Sequence, residues 1–391
     1  MTSGAPAVPP PRLQQVRNRT PFGHFQYDKM GPGIRFHDVV IVCASFVLAA
    51  GRLEAAPRHR GPVFADAAWD AAQPVLSSLR SATDLVLFKP EADIFVTGSA
   101  RARGWTPQRE WLATLQVARH GTALLDKSLR LTGPRSWPWH DDPAQRTPGD
   151  PEPTLEVPLR YELAYGGWWR DEGDAADAPP RLHPTNPCGS GRFGSACRDT
   201  HAGARHDRGV AVPAPQIERA GVPVRHGNQD DLPAEGFAPI ARHWQPRLAL
   251  AGTYDETWQR RHAQAPFMDY AEDFDLRFFQ YAPADQRIAE GLAGDESLRL
   301  AGFFASTDAL EMQLPGLCIE AWCSTGDGAE TAQFMKLDTV HVDLDEMLVH
   351  LTWRLTLDQA RNVIDVDLRL CEAETQADRD WRHEARGGVP A

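Results

Sequence analysis

The sequence predicts a mainly β protein, with antiparallel strands forming sandwich or barrel-like sheets, long irregular loops and few short helices. Three observations lead there. Short runs rich in β-branched and aromatic residues are separated by turn residues along much of the chain. The 32 Pro, 31 Gly and 12 Trp favour many turns and short strands over long helices. The stretch from Pro239 to Gln286 is rich in Trp, Tyr, Pro, Gly and Asp without a helical or strand period, so specific turns and packing must shape it.

Taken in order, residues 1–17 are Pro-rich and are expected to form a mobile arm, with order beginning near Asn18. Ile34 to Leu48 (IRFHDVVIVCASFVL) reads as a long buried strand closed by Gly51. The Ala-rich stretch Phe64 to Leu79 fits either a short helix or a surface crossing. Alternation predicts strands at Thr83 to Phe88, Asp93 to Ser99, Trp111 to Arg119 and Ala123 to Leu131, with His120-Gly121 as a hairpin turn between the last two. A further strand is expected at Thr154 to Tyr165. Residues 167–234 have little apolar periodicity and read as a surface elaboration, an irregular region joining two β subdomains at 18–166 and 235–371. Later strands are expected at Arg247 to Ala251, Leu276 to Tyr281, Leu298 to Phe304, Leu310 to Leu314, Leu317 to Trp322, Thr339 to Asp343, Leu348 to Leu355 and Val363 to Leu370. The charged end, 372–391, is expected to fray.

Composition excludes several classes. A net charge of -12 repels nucleic acid and anionic membranes, so neither is expected as a partner. The opening MTSGAPAVPPPRLQQ has no apolar core of a secretory signal, and the longest apolar run, Val39 to Ala50, is too short to span a bilayer. A cytoplasmic location is expected. Six irregularly spaced Cys read as buried thiols in a reducing compartment.

Motifs for common chemistries are weak. Gly189 to Gly194 is a formal G-x-G-x-x-G, but Pro184 and Pro187 precede it and more loop follows, where a dinucleotide site needs a strand and a helix N-terminus. Cys188, Cys197, His201 and His206 offer two thiols and two imidazoles. Eight residues separate the two cysteines, a poor match to structural zinc spacing, so partly buried cysteines and solvated histidines are the simpler reading. No G-x-S-x-G, H-E-x-x-H or G-x-x-x-x-G-K-[ST] occurs. No cofactor, metal or catalytic residue is expected. Asp255, Glu256, Asp269, Glu272, Asp273 and Asp275, near Trp244, Tyr254, Trp258 and Tyr270, support one alternative, a carbohydrate-active hydrolase; turn and capping roles are the commoner explanation of such carboxylates.

The order of short blocks resembles a family of uncharacterised-domain proteins encoded beside bacterial type VI secretion spike and tip genes. The blocks are Asn18-Arg19-Thr20-Pro21-Phe22, the VVIVCASFVL strand, Ala92-Asp93-Ile94, Thr97-Gly98-Ser99-Ala100, Pro158-Leu159-Arg160-Tyr161-Glu162, Tyr165-Gly166-Gly167, Asn186-Pro187, Trp244-Gln245-Pro246-Arg247, Gly252-Thr253-Tyr254-Asp255, Asp273-Phe274-Asp275 and Leu351-Thr352-Trp353-Arg354. They run from Asn18 to Leu357. The loop from Trp168 to Ala234 departs from the pattern, being rich in Arg, His and Cys. The resemblance implies an adaptor or chaperone that binds an effector, a spike-tip protein or the spike itself and promotes loading, without catalysis. On that expectation, partner binding falls to Tyr161, Glu162, Tyr165, Trp168, Trp169, Asn186, Trp244, Arg247, Tyr254, Asp255 and Trp258, because aromatic anchors beside Arg are what interfaces favour.

Overall fold

From Asp38 to Phe46 no residue of the long apolar run is exposed. A strand that reads as continuously apolar, rather than alternating, must be covered on both faces. The computed structural model, which describes residues 12–138, 147–171, 174–175, 177–192, 197–200, 212–224, 232, 234–263, 265 and 267–372, has this layering. Strands take 44% of the described residues and helices 10%, and the sheets are open and rich in antiparallel pairs, so the chain is mainly β as expected.

The strands used below are β1 (Gln15–Asn18), β2 (Gly23–Gly31), β3 (Arg35–Val47), β4 (Gly51–Arg52), β5 (Ala92–Thr97), β6 (Glu110–Arg119), β7 (Thr122–Thr132), β8 (Trp168–Asp171), β9 (Ile217–Arg219), β10 (Arg287–Ile288), β11 (Ser297–Ala301), β12 (Ala309–Gln313), β13 (Leu317–Thr325), β14 (Glu330–Phe334), β15 (Lys336–Asp343), β16 (Leu348–Asp358) and β17 (Val363–Glu372); helix α1 spans Glu256–His262. One sheet has the order β2-β3-β16-β15-β5-β10, a second β9-β7-β6-β11-β12-β4, and a third β1-β17-β13-β14. All pairs in the first sheet are antiparallel except β15 with β5, where Thr339 lies beside Asp93. The β6–β7 hairpin turns at His120 and Gly121, both at positive φ (48° and 81°), as a two-residue turn requires.

Alternation sorts β3 between two layers. Val40, Val42, Ala44 and Phe46 join the main apolar cluster, which also takes Leu115, Val117, Leu129 and Leu300 from the second sheet and Ile319, Val366 and Leu368 from the third. Val39, Ile41 and Cys43 face the other way, under Val86, Leu87 and Phe279. This second face is partly polar. Arg354 on β16 donates to Asp338 Oδ2 (2.6 Å), to Tyr27 Oη and to the carbonyls of Asp84 and Val86. Lys29 donates to the Leu85 carbonyl, Thr356 to Leu87, and Lys336 to Lys89 and Pro90. Lys89, wholly buried, pairs with Asp93 at 2.9 Å and donates to Thr339 Oγ1. Residues 84–90 therefore cross the sheet face with their carbonyls held by side chains.

That arrangement corrects the strand expected at Thr83 to Phe88, which is irregular. Its buried residues are Thr83, Asp84, Val86 and Leu87, which do not alternate, and its carbonyls accept from side chains instead of a ladder. Arg247 to Ala251 and Leu276 to Tyr281 are also not strands: Leu248–Ala251 and Leu276–Phe279 form 3-10 turns, the latter capped by Asp275, which accepts from Arg277 N. Thr154 to Tyr165 keeps only a short strand at Glu156–Pro158 before the 3-10 turn Tyr161–Leu163. Order begins before Asn18. Leu13 is buried and β1 runs parallel to β17, so the arm expected to reach residue 17 is tied down from residue 12. The first two sheets each mix strands from 18–166 with strands beyond 235, and the main cluster spans both, so the proposed subdomain division does not divide the sheets. The tail from 373 lies outside the described residues. No helix among the described residues is long and apolar enough to cross a membrane.

Two predictions come from the covered face. Arg354→Met leaves the buried Asp338 carboxylate without its cation and takes one of the donors from each of the Asp84 and Val86 carbonyls, and is expected to lower unfolding free energy by about 3–5 kcal/mol in urea titration; an unchanged midpoint would refute this role. His341 and His350 are each 4% exposed. Burial and then the nearby Arg60 push His350 down to about 3 and His341 well below the usual imidazole range. The unfolded chain takes up these protons near pH 6.5 and the folded chain does not, so the stability tied to the neutral rings is complete above that pH and lost as pH falls. Stability is expected to drop by about 1.4 kcal/mol per histidine for each pH unit below about 6.5. His350→Gln should flatten that slope by one histidine's share.

Candidate partner-binding surface

The eleven residues expected to bind a partner divide by burial. Tyr161 is 1% exposed, donates to the Ala238 carbonyl (3.0 Å) and meets Trp244 edge-on. Trp244 is fully buried and donates to His243 Nε2. Tyr165 is buried with its ring against His183. Arg247 is buried, donating to the carbonyls of Phe278 and Ile240, and burial lowers its pKa to about 10. These four are interior groups, with no face to offer a partner in this fold.

Asn186 is the fifth interior residue and the most connected. Its Nδ2 donates to the carbonyls of Tyr161 (2.8 Å) and Tyr165 (2.9 Å), and its Oδ1 accepts from Cys188 Sγ (3.2 Å). Its own carbonyl accepts from Gly167 and Gly189. Gly166 needs its φ of +145°, and a Cβ there would stand 2.3 Å from the Asn186 carbonyl. A Cβ on Gly189 would stand 2.4 Å from Asn186 Nδ2. Gly166 and Gly189, the first glycine of the formal G-x-G-x-x-G, thus let two chain segments touch, with Ser190–Gly191 parallel to Tyr165–Gly166. The described parts of 167–234 are therefore docked, in contrast to the surface elaboration expected; Val212, Ala214 and Val224 pack with Trp137 and Tyr165. Of the thiol and imidazole set, Cys188 is buried beside Asn186, whereas His201, His206 and the side chain of Cys197 lie outside the described residues.

The remaining candidates are accessible. Trp168 and Trp169 on β8 are half-buried, with Arg170 over Trp168 and Arg192 over Trp169 at 4.3 Å. Glu162 accepts from Ser78 N (2.9 Å) and from the hydroxyls of Ser77 and Ser78. It lines a cleft of about 390 Å³ with Trp69, Asp70, Leu76 and Arg160, whose guanidinium stacks 3.7 Å above Trp69.

Apart from Trp105 (62% exposed) and Phe64 (57%), the exposed aromatics flank α1. Asp255 caps the helix by accepting from Trp258 N, Glu256 sits in the first turn, and Arg260, Arg261 and His262 occupy the last, the charge order that a helix dipole favours. Tyr254, 42% exposed, packs on Trp258, which stacks on His262 at 4.5 Å. Phe267 (50%) and Met268 (66%) follow, with Phe267 against Phe36 near the β2–β3 turn. Sequence reasoning missed Phe36, Phe267 and Met268; a Phe-Met pair in a polar loop was the available signal.

The same segment holds the carboxylates considered for hydrolysis. Asp269 accepts from the amides of Gly33 and Ile34, fastening the segment to the β2–β3 turn. Asp273 accepts from Thr253 N and Oγ1, and these bonds hold its pKa below the usual carboxylate range. The bond from the Arg277 side chain does the same for Asp275. Glu272 pairs with Arg261.

Asn186→Ala removes the side-chain donor of two buried carbonyls, of which Tyr161's keeps the Ala164 amide while Tyr165's loses its donor, and is expected to cost about 1–3 kcal/mol. Chemical denaturation measures this; a loss under 0.5 kcal/mol would show that those carbonyls find other donors.

No curated protein and no solved structure matches the chain. One family model does, over residues 35–354, a span that takes in the first sheet from β3 to β16, the Asn186 latch and α1. The chain therefore belongs to the family described as uncharacterized protein conserved in bacteria (DUF2169).

Proposed function

We propose that the protein is an adaptor that binds a type VI secretion effector or spike-tip protein and promotes its loading onto the secretion spike. The single observation that carries the binding part is the aromatic surface of α1 and its flanks. Tyr254, Phe267 and Met268 expose large apolar area next to Arg260 and Arg261. Exposed aromatics with neighbouring guanidinium groups supply the desolvated anchors and polar rim that protein interfaces use. The link to secretion rests on the order of blocks between Asn18 and Leu357. Binding a folded cargo stabilises that state by mass action and masks its surface until transfer, which needs no nucleophile.

The carboxylates of 255–275 favour binding over hydrolysis. Asp273 and Asp275 are held ionised by N–H donors, which makes them poor general acids, and Asp255 and Asp269 are engaged by backbone amides.

The test is co-purification with an effector or tip protein encoded beside the gene. The doubly substituted Tyr254→Ala, Trp258→Ala protein should lose at least about tenfold in affinity while its melting temperature stays near that of the wild type. Equal capture by both proteins would remove this surface from the interface.

A further inference from the structure

We propose that the turn between β15 and β16 holds a divalent transition-metal ion, with Asp343, Glu346 and His350 as its protein ligands. A ring nitrogen of His350 and a carboxylate oxygen from each of Asp343 and Glu346 lie within 4.8 Å of one another. Acidic side chains near a turn are commonplace, so the inference stands on His350. It is 4% exposed, its Nδ1 meets Ser45 Oγ at 2.8 Å, and its buried Nε2 has no hydrogen-bond partner. Ser45 is on β3 and Asp343 on β15, on opposite sides of β16. With Nδ1 taken by Ser45, Nε2 is the nitrogen left for an ion.

The surrounding bonds admit the tautomer a metal needs. Ser45 Oγ already accepts from Arg60 N (2.9 Å), and it can accept a second bond from His350 Nδ1–H. Nε2 then carries a lone pair, and Ser45 takes the place of the outer-shell acceptor that orients a ligating imidazole. The neighbouring His341 is different. Its Nε2 meets Thr97 Oγ1 at 2.7 Å and its Nδ1 meets Arg60 at 3.2 Å, so both nitrogens are used.

The carboxylates are held from the other side. Asp343 Oδ1 accepts from the amides of Asp345 (3.0 Å) and Glu346 (2.9 Å), which folds the turn and leaves Oδ2 for an ion. Asp345 points elsewhere, to Ser99 N and Arg101. Glu346 is exposed and half-buried Asp343 lies between it and His350, so an ion reaches the imidazole from solvent through its own ligands. Two carboxylates and one imidazole suit Zn²⁺, Mn²⁺ or Co²⁺ better than Ca²⁺ or a thiolate-seeking ion. Bonds of about 2.0–2.2 Å need the donors drawn closer than they stand, and the exposed Glu346 is free to make that movement. Arg60 is the facing cation, and two carboxylates offset it.

The experiment is calorimetric titration of the chelator-stripped full chain with ZnCl₂, beside Glu346→Gln, Asp343→Asn and His350→Gln. Glu346 is at the surface, so E346Q folds even if H350Q does not, and it decides. One class of site should weaken at least tenfold in E346Q, and ZnCl₂ should raise the melting temperature of the wild type but not of E346Q. The chain carries 14 His and six Cys that can take zinc elsewhere. Binding and melting responses that are the same in wild type and E346Q, or no binding at all, overturn the proposal.

Discussion

The fold depends on a buried guanidinium. Arg354 neutralises Asp338 and, with Tyr27, Lys29, Thr356 and Lys336, supplies the donors for a run of carbonyls between Asp84 and Pro90. Each of those carbonyls, buried without a donor, would cost about 1–3 kcal/mol. Satisfied in this way, an irregular strand of backbone can cover a sheet face as well as a helix would. The first sheet can then bury both sides of β3, and the polar residues on its second face become fixed points. Asp93 is one of them, paired with Lys89 and accepting from the amides of Tyr281 and Ala282. The chain that follows α1 is thus anchored first by Asp269 on the β2–β3 turn and then by the same buried layer at Tyr281 and Ala282.

This anchoring separates two kinds of aromatic residue that composition treats alike. Tyr161 and Trp244 meet edge to face in the interior, where their polar atoms have fixed acceptors. Tyr254 and Trp258 stand on a short helix whose caps are local, so the helix holds its shape without burying its aromatic side. The first pair specifies the fold, and the second is available to another molecule.

How much of this was legible follows from where the signals came from. β3, the β6–β7 hairpin and the β15–β16 pair were readable because apolar period and turn residues are local. Thr83 to Phe88 misled because its apolar residues are largely buried as a strand's would be, while its hydrogen-bond donors come from residues 27, 29, 354 and 356, far away in sequence. Leu248–Ala251 and Leu276–Phe279 are too short for period to distinguish strand from 3-10 turn. Helix α1 was recoverable: Asp255 as cap, an acidic first turn and a basic last turn were all present in the sequence. At the site, Tyr254, Asp255 and Trp258 were found by their aromatic and turn character. The same criterion also drew in Tyr165, Asn186 and Arg247, since burial is set by partners the sequence does not reveal.

The sheet order has a consequence for biosynthesis. β3 leaves the ribosome early, but the strand that covers its edge, β16, begins with Leu348 opposite Val47. At about 5–20 residues per second, the wait is on the order of tens of seconds. For that interval the nascent chain presents Val39 to Phe46, apolar on both faces, with at most its β2 neighbour in place. Until β16 arrives, that strand is open to edge-to-edge pairing with other chains.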